Sequence, residues 1–164
     1  MIQIEKFTFN ALGENTYVLF DQSKEAVIID PGCYDKFEQK ELSNFIENQG
    51  LKVVKLLNTH CHVDHVLGNA FVKQKFGVSL YIHELEVAHL KAVEVYAPMY
   101  GFAAYQPSTA DFMLKEGDRV TFGNSFLEVI FTPGHSVGHV VFYSEKDGFC
   151  INGDVLFAGS VGRT

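Results

Sequence analysis

The sequence predicts a layered α+β domain in which strands come first, helices follow and strands return. Three observations carry that expectation. Residues 2–9 alternate polar and apolar as a half-buried strand does, and 17–20 and 26–29 look like two more strands. Apolar residues then shift to helical spacing in the middle of the chain. From 119 onward the apolar runs are short again and joined by tight turns.

Taken in order, the polar segment DQSKE at 21–25 suggests a hairpin between the second and third strands. Asp30-Pro31-Gly32 stops the sheet with turn chemistry. Leu42, Phe45 and Ile46 sit at helical spacing in a polar stretch that ends at Gly50. Lys52–Leu57 is an apolar, β-rich run with a helical segment on either side, a β-α-β order that suggests layers. Residues 68–76 predict a helix ending at Gly77, 78–82 a short strand, and 83–95 a second amphipathic helix. Between Pro98 and Ala110 the pattern dissolves into Pro, Gly, Tyr and Ala; this longest irregular stretch is the expected lid or substrate wall. Strands resume at 119–122, 126–131, 139–143 and 148–151.

The 164 residues suit one domain, with no repeat or linker to divide 1–164. Hydrophobic residues at 47% and charged residues at 20% describe a soluble globular chain and exclude disorder, collagen and coiled coil. No apolar run approaches the roughly 18 residues that a membrane helix needs. The start MIQIEKFTFN lacks a cationic stretch followed by an apolar block, so no secretory signal is expected. Thirteen Lys and Arg against twenty Asp and Glu give 13 − 20 = −7, which argues against nucleic-acid binding. Three scattered cysteines, Cys33, Cys61 and Cys150, form no CxxC and fit the reducing cytoplasm. Composition leaves the oligomeric state open.

The chemistry concentrates in His60-Cys61-His62-Val63-Asp64-His65, directly after the apolar run 52–57. In an extended segment residues two apart project to the same side, so His60 and His62 can aim at one point. Asp64 and His65 can turn together toward a second point. Three imidazoles and a carboxylate packed this closely are costly to bury unless something binds them, and a metal ion is the natural candidate. An intervening residue points away, which makes Cys61 a buried structural thiol. Further ligands are expected from the turns at 133–139, where His135 and His139 are both candidates, and at 152–154, which holds Asp154. His83, His89, Cys33 and Cys150 have no neighbouring constellation in the sequence and receive no role.

With HCHVDH at 60–65, TPGHSVGH at 132–139 and GDVLFAGSVGR at 153–163, the sequence resembles the metallo-β-lactamase superfamily. Within it the small glyoxalase-II-like (hydroxyacylglutathione hydrolase-like) hydrolases are the nearest in pattern. Asp30-Pro31-Gly32 and Asn15-Thr16-Tyr17 fit as well. The resemblance implies an αββα four-layer sandwich. It implies that His60, His62 and His135 hold a first metal, that Asp64 and His65 hold a second, and that Asp154 bridges the two. Asp30 would orient a metal-bound imidazole, and His139 would support the site from behind. Zn²⁺ is the expected ion, two where the site is complete, with Fe or Mn as alternatives. The implied activity is cleavage of a thioester or ester of a small molecule by a metal-bound hydroxide, with Asp64 and Asp154 orienting it. Two other readings accompany it: an iron-dependent persulfide dioxygenase, and a catalytically silent metal-binding module. The family pattern also carries a later His for the second site, whereas every His here precedes Asp154. The expectation is therefore a domain lacking its last strands and helix.

Overall fold

Strands β1 (Gln3–Phe9), β2 (Glu14–Phe20), β3 (Glu25–Ile29), β4 (Lys52–Leu57), β5 (Leu80–His83) and β6 (Phe112–Leu114) form one six-stranded sheet in chain order in the computed structural model, which describes all residues 1–164. The first three are antiparallel, joined by tight connections, and the pairings from β3 to β6 are parallel. Parallel neighbours need crossovers, and helices supply them: α1 (Lys36–Asn48), the short α2 (Val63–Val66), α3 (Asn69–Phe76) and α4 (Val87–Tyr96). Helix α1 starts where Asp35 accepts from the Phe37 and Glu38 amides while Glu38 reaches back, a capping box. It ends before Gly50, whose φ of 62° suits the left-handed turn that follows.

A second, antiparallel sheet contains β7 (Arg119–Phe122), β8 (Ser125–Phe131), β9 (Val140–Ser144) and β10 (Phe149–Ile151), in the order β10-β9-β8-β7. A two-residue pair, β11 (Leu156–Phe157) with β12 (Ser160–Val161), closes the chain.

Alternation along the first sheet divides the core in two. Val18, Phe20, Ala26, Ile28 and Leu56 face the helices and pack with Leu42, Ile46, Val72, Leu90 and Val93. Their neighbours Leu19, Val27, Ile29 and Leu57 face the second sheet and meet Leu127, Val129, Val140 and Phe142. Burial on both faces explains why β3 reads as a continuous apolar run over Ala26–Ile29. These residues form helix, sheet and sheet layers of the expected sandwich.

The structure refines several expectations. The helix expected from 83 begins later, because His83 ends β5 and its Nδ1 accepts the Leu85 amide, opening a single 3-10 turn over Glu84–Glu86. Elements β6, β11, β12 and α2 were not expected, being too short to show a period. After a 3-10 turn over Ala97–Tyr100, the stretch to Ala110 is irregular; Phe102 and Tyr105 anchor it in the core while Met99 and Tyr100 stay exposed. No helix is long and apolar enough to cross a membrane.

Candidate metal centre

The site lies where strands of both sheets end. Asp30 follows β3, Asn58 to His65 follow β4, Thr132 to His139 follow β8, and Asn152 to Asp154 follow β10. Side chains far apart in sequence are thereby delivered to one edge of the sandwich.

Asp30 anchors the inner part. It is buried with φ of 50°, a left-handed conformation uncommon outside glycine and tolerated best by Asp and Asn. Its Oδ1 accepts the Thr59 amide at 2.7 Å, and its Oδ2 accepts the Thr59 hydroxyl at 2.6 Å and lies 3.0 Å from His65 Nδ1. Because the Thr59 proton goes to Asp30, Thr59 Oγ1 accepts from His60 Nδ1, 3.0 Å away. His60 is fully buried, and its Nε2 has no partner of any kind. Burial, then the charges of His65 and His139, keep this ring neutral well below the usual range. The chain therefore presents an unprotonated, unpartnered nitrogen in the interior, which is what a metal ligand requires and what a core histidine ordinarily avoids.

The other donors gather around it. His62 Nδ1 and His135 Nε2 are 2.9 Å apart, and with His60 they offer three nitrogens within 4.8 Å of one another. His135 Nδ1 donates to the Arg163 carbonyl at 2.8 Å, which leaves Nε2 as the nitrogen facing the cluster. On the far side, His65 Nε2 lies 3.4 Å from Asp64 Oδ2 and 3.2 Å from Asp154 Oδ1. Asp154 turns its other oxygen to His135 Nε2 at 3.3 Å, so one carboxylate spans both groups. Burial opposes charge on His65, yet the hydrogen bonds to Asp154 and Asp30 prevail and raise its pKa well above the ordinary value. Burial also opposes charge on Asp154, and the neighbouring imidazoles outweigh it and lower its pKa. The carboxylates around His65 thus favour positive charge at this point of the cluster.

His139 does not join the donors. Its ring stacks on His60 at 4.7 Å, its Nδ1 lies 3.2 Å from Thr132 Oγ1, and its Nε2 accepts the Asp154 amide at 3.2 Å. It braces the backbone that carries Asp154. Gly153 makes this approach feasible, since a Cβ there would sit 2.8 Å from His139 Nε2 and the φ of 47° disfavours other residues. Cys61 is buried and belongs to the helix-side core, and burial raises its thiol pKa further above neutrality.

With that geometry in place, residues 10–164 match the metallo-beta-lactamase superfamily. The chain belongs to this superfamily. Among its relatives it is 32% identical over 165 residues to the hydroxyacylglutathione hydrolase GloC of Haemophilus influenzae, covering 99% of this chain and 76% of that one. It is also 32% identical over 151 residues to the mitochondrial persulfide dioxygenase ETHE1 of Mus musculus, covering 91% of this chain and 50% of that protein. Two solved structures superpose closely. The B3 metallo-beta-lactamase BLEG-1 has a TM-score of 0.85 at 32% identity, with 99% of this chain and 77% of that one covered. TTHA1623 in a di-iron-bound form has a TM-score of 0.82 at 34% identity, with 97% and 76% covered. Against other hydroxyacylglutathione hydrolases in the superfamily the chain spans about half the relative's length.

Every residue singled out in the sequence for this superfamily's metals, His60, His62, Asp64, His65, His135 and Asp154, falls in the one cluster, with Asp30 and His139 packed behind it. Sequence reasoning missed Thr59, Glu14 and Glu86. Glu14 Oε1 is buried without a hydrogen bond, 3.8 Å from His65 Nδ1, and burial raises its pKa well above the ordinary value. His89, given no role from sequence, lines a cleft of about 630 Å³ beside His62, Asp64, His135 and Asp154. Tyr96, Met99 and Tyr100 form its apolar wall, and Arg163 adds a cation.

Proposed function

We propose that the chain is a metal-dependent hydrolase of thioesters or related acyl compounds of small molecules. The observation that carries the reading is the bare, buried His60 Nε2 at the centre of a cluster of imidazoles and carboxylates. On this reading His60, His62 and His135 hold one divalent ion, Asp64 and His65 a second, and Asp154 serves both. The imidazole-rich donor set favours zinc, with iron as the alternative. Bound there, such an ion acidifies a water and polarises an acyl carbonyl.

The chain's own groups do the rest. Asp30 and Thr59 fix the tautomer of His60 and the orientation of His65. The carboxylates of Asp64 and Asp154 accept hydrogen bonds from water entering the cleft and orient it. Tyr96, Met99 and Tyr100 exclude solvent from the acyl group, and Arg163 attracts a substrate carboxylate. The −7 charge speaks against a nucleic-acid substrate. Three free thiols support a reducing, cytoplasmic setting. We read residues 1–164 as one domain.

The test combines metal analysis of purified protein with S-lactoylglutathione turnover before and after chelation. Turnover should vanish with the metal, return on its readdition, and be lost in Asp64→Asn. Turnover that survives metal removal sinks the reading. The likeness to ETHE1 supports a second reading, an iron persulfide dioxygenase. Stoichiometric iron with oxygen uptake on a persulfide substrate selects it.

A further inference from the structure

We propose that Glu86 is a positioning residue of the metal centre, a buried carboxylate that holds the two donor-bearing loops at a fixed separation and sets His89 at the cleft wall. The proposal rests on the metal-centre reading above. Glu86 is fully buried, in the 3-10 turn that precedes α4. Its Oε2 accepts the Cys61 amide at 2.8 Å, in the segment between His60 and His62. Its Oε1 accepts the Gly138 amide at 2.8 Å and the Ser136 hydroxyl at 2.5 Å, in the loop that carries His135. One carboxylate thus joins the end of β4 to the end of β8.

A third branch reaches the cleft. Since the Ser136 proton goes to Glu86, Ser136 Oγ accepts from His89 Nδ1, 3.1 Å away. That leaves Nε2 as the ring nitrogen of His89 free for a ligand in the cleft. The arrangement repeats the one behind His60, where Nδ1 donates to Thr59 and Thr59 donates to Asp30. In both, a buried acid fixes an imidazole tautomer through a hydroxyl. Gly138 is shaped to the same end: a Cβ there would lie 2.8 Å from Glu86 Cγ and 2.9 Å from its amide nitrogen.

Glu86→Gln is the sharp variant. Each carboxylate oxygen faces a backbone N–H, so either orientation of the amide sets its NH₂ against a donor. Zinc affinity is read by competition with a chromophoric chelator, alongside amide exchange at Cys61 and Gly138 in the metal-free protein. The control is Ile46→Ala, a cavity on α1 at an apolar residue outside the Glu86 hydrogen-bond network. The zinc dissociation constant should rise about 10- to 100-fold in Glu86→Gln, with faster exchange at both amides, while Ile46→Ala lowers the melting temperature and leaves zinc affinity unchanged. Wild-type affinity in Glu86→Gln overturns the proposal, as does equal weakening in Ile46→Ala. A wild-type protein that binds no zinc or iron overturns the metal-centre reading and this proposal together. If Glu86→Gln does not fold, Ser136→Ala decides: weaker zinc binding, restored by Ser136→Thr, supports the positioning role, and unchanged binding overturns it.

Discussion

The two sheets contribute unequally to the centre. From the first come Asp30, Thr59, His60 and His65, all buried and joined by hydrogen bonds of 2.6–3.0 Å through Asp30 and Thr59, with the partly buried His62 and Asp64 beside them. From the second come His135 and Asp154, whose side chains are 14% and 23% exposed and whose partners are mostly the other donors themselves. The inner half is fixed by folding, and the outer half is held largely by what it encloses. The difference separates stability from affinity: damage inside should unfold the protein, and damage outside should chiefly cost it metal.

Asp30→Ala should have the largest effect. It strips the Thr59 amide and hydroxyl and the His65 ring of their acceptor in a dry environment, a loss of about 3–5 kcal/mol. Urea denaturation of the metal-free protein measures it, and an unchanged midpoint would erase the contrast between the halves.

A pH effect of about 3 kcal/mol should come from His139, where the halves meet. Burial lowers its pKa to about 4, helped by charge on His135 and His65 against the pull of Asp30. Protonation would also place an Nε2–H against the Asp154 amide. The unfolded chain takes up this proton below the ordinary value of 6.5 and the folded chain only near 4. This contribution to stability is thus present above pH 6.5 and lost as pH falls toward 4. The opposite shift on His65 contributes stability that fades as pH rises, so wild type must be compared with His139→Gln. The difference between the two should slope across that window; parallel curves would show that His139 carries no such linkage.

The smallest change in stability belongs to His135→Ala, within about 0.5 kcal/mol for the metal-free protein. Chelator competition should nonetheless show a large loss of metal affinity. A melting temperature that drops as far as in Asp30→Ala would mean that the outer half is built like the inner one.

Legibility in the sequence follows the same division. His60, His62, Asp64 and His65 stand within six residues at the end of an apolar strand, so spacing alone exposes them. The second-sheet donors could be chosen only by resemblance, because His135 and His139 occupy equivalent-looking places in one turn and only the fold turns one toward the cluster. Glu86 was invisible because two of its three partners are backbone amides, at Cys61 and Gly138, and an amide carries no letter. The main strands and α1 were readable from periodicity; β6, β11, β12 and α2 were too short to show one.

Asp30, His65 and Asp154 come together from positions spread over most of the chain, and that spread governs the order of assembly. Contacts of long sequence separation form late, after loop-closure entropy has been overcome. An emerging polypeptide displays the 60–65 cluster well before β8 and β10 exist to bring His135 and Asp154. Until the second sheet docks, the 60–65 segment would offer an ion only part of the folded donor set. On the metal-centre reading, tight capture would wait for the sheets to dock, and metal retention would report on that docking.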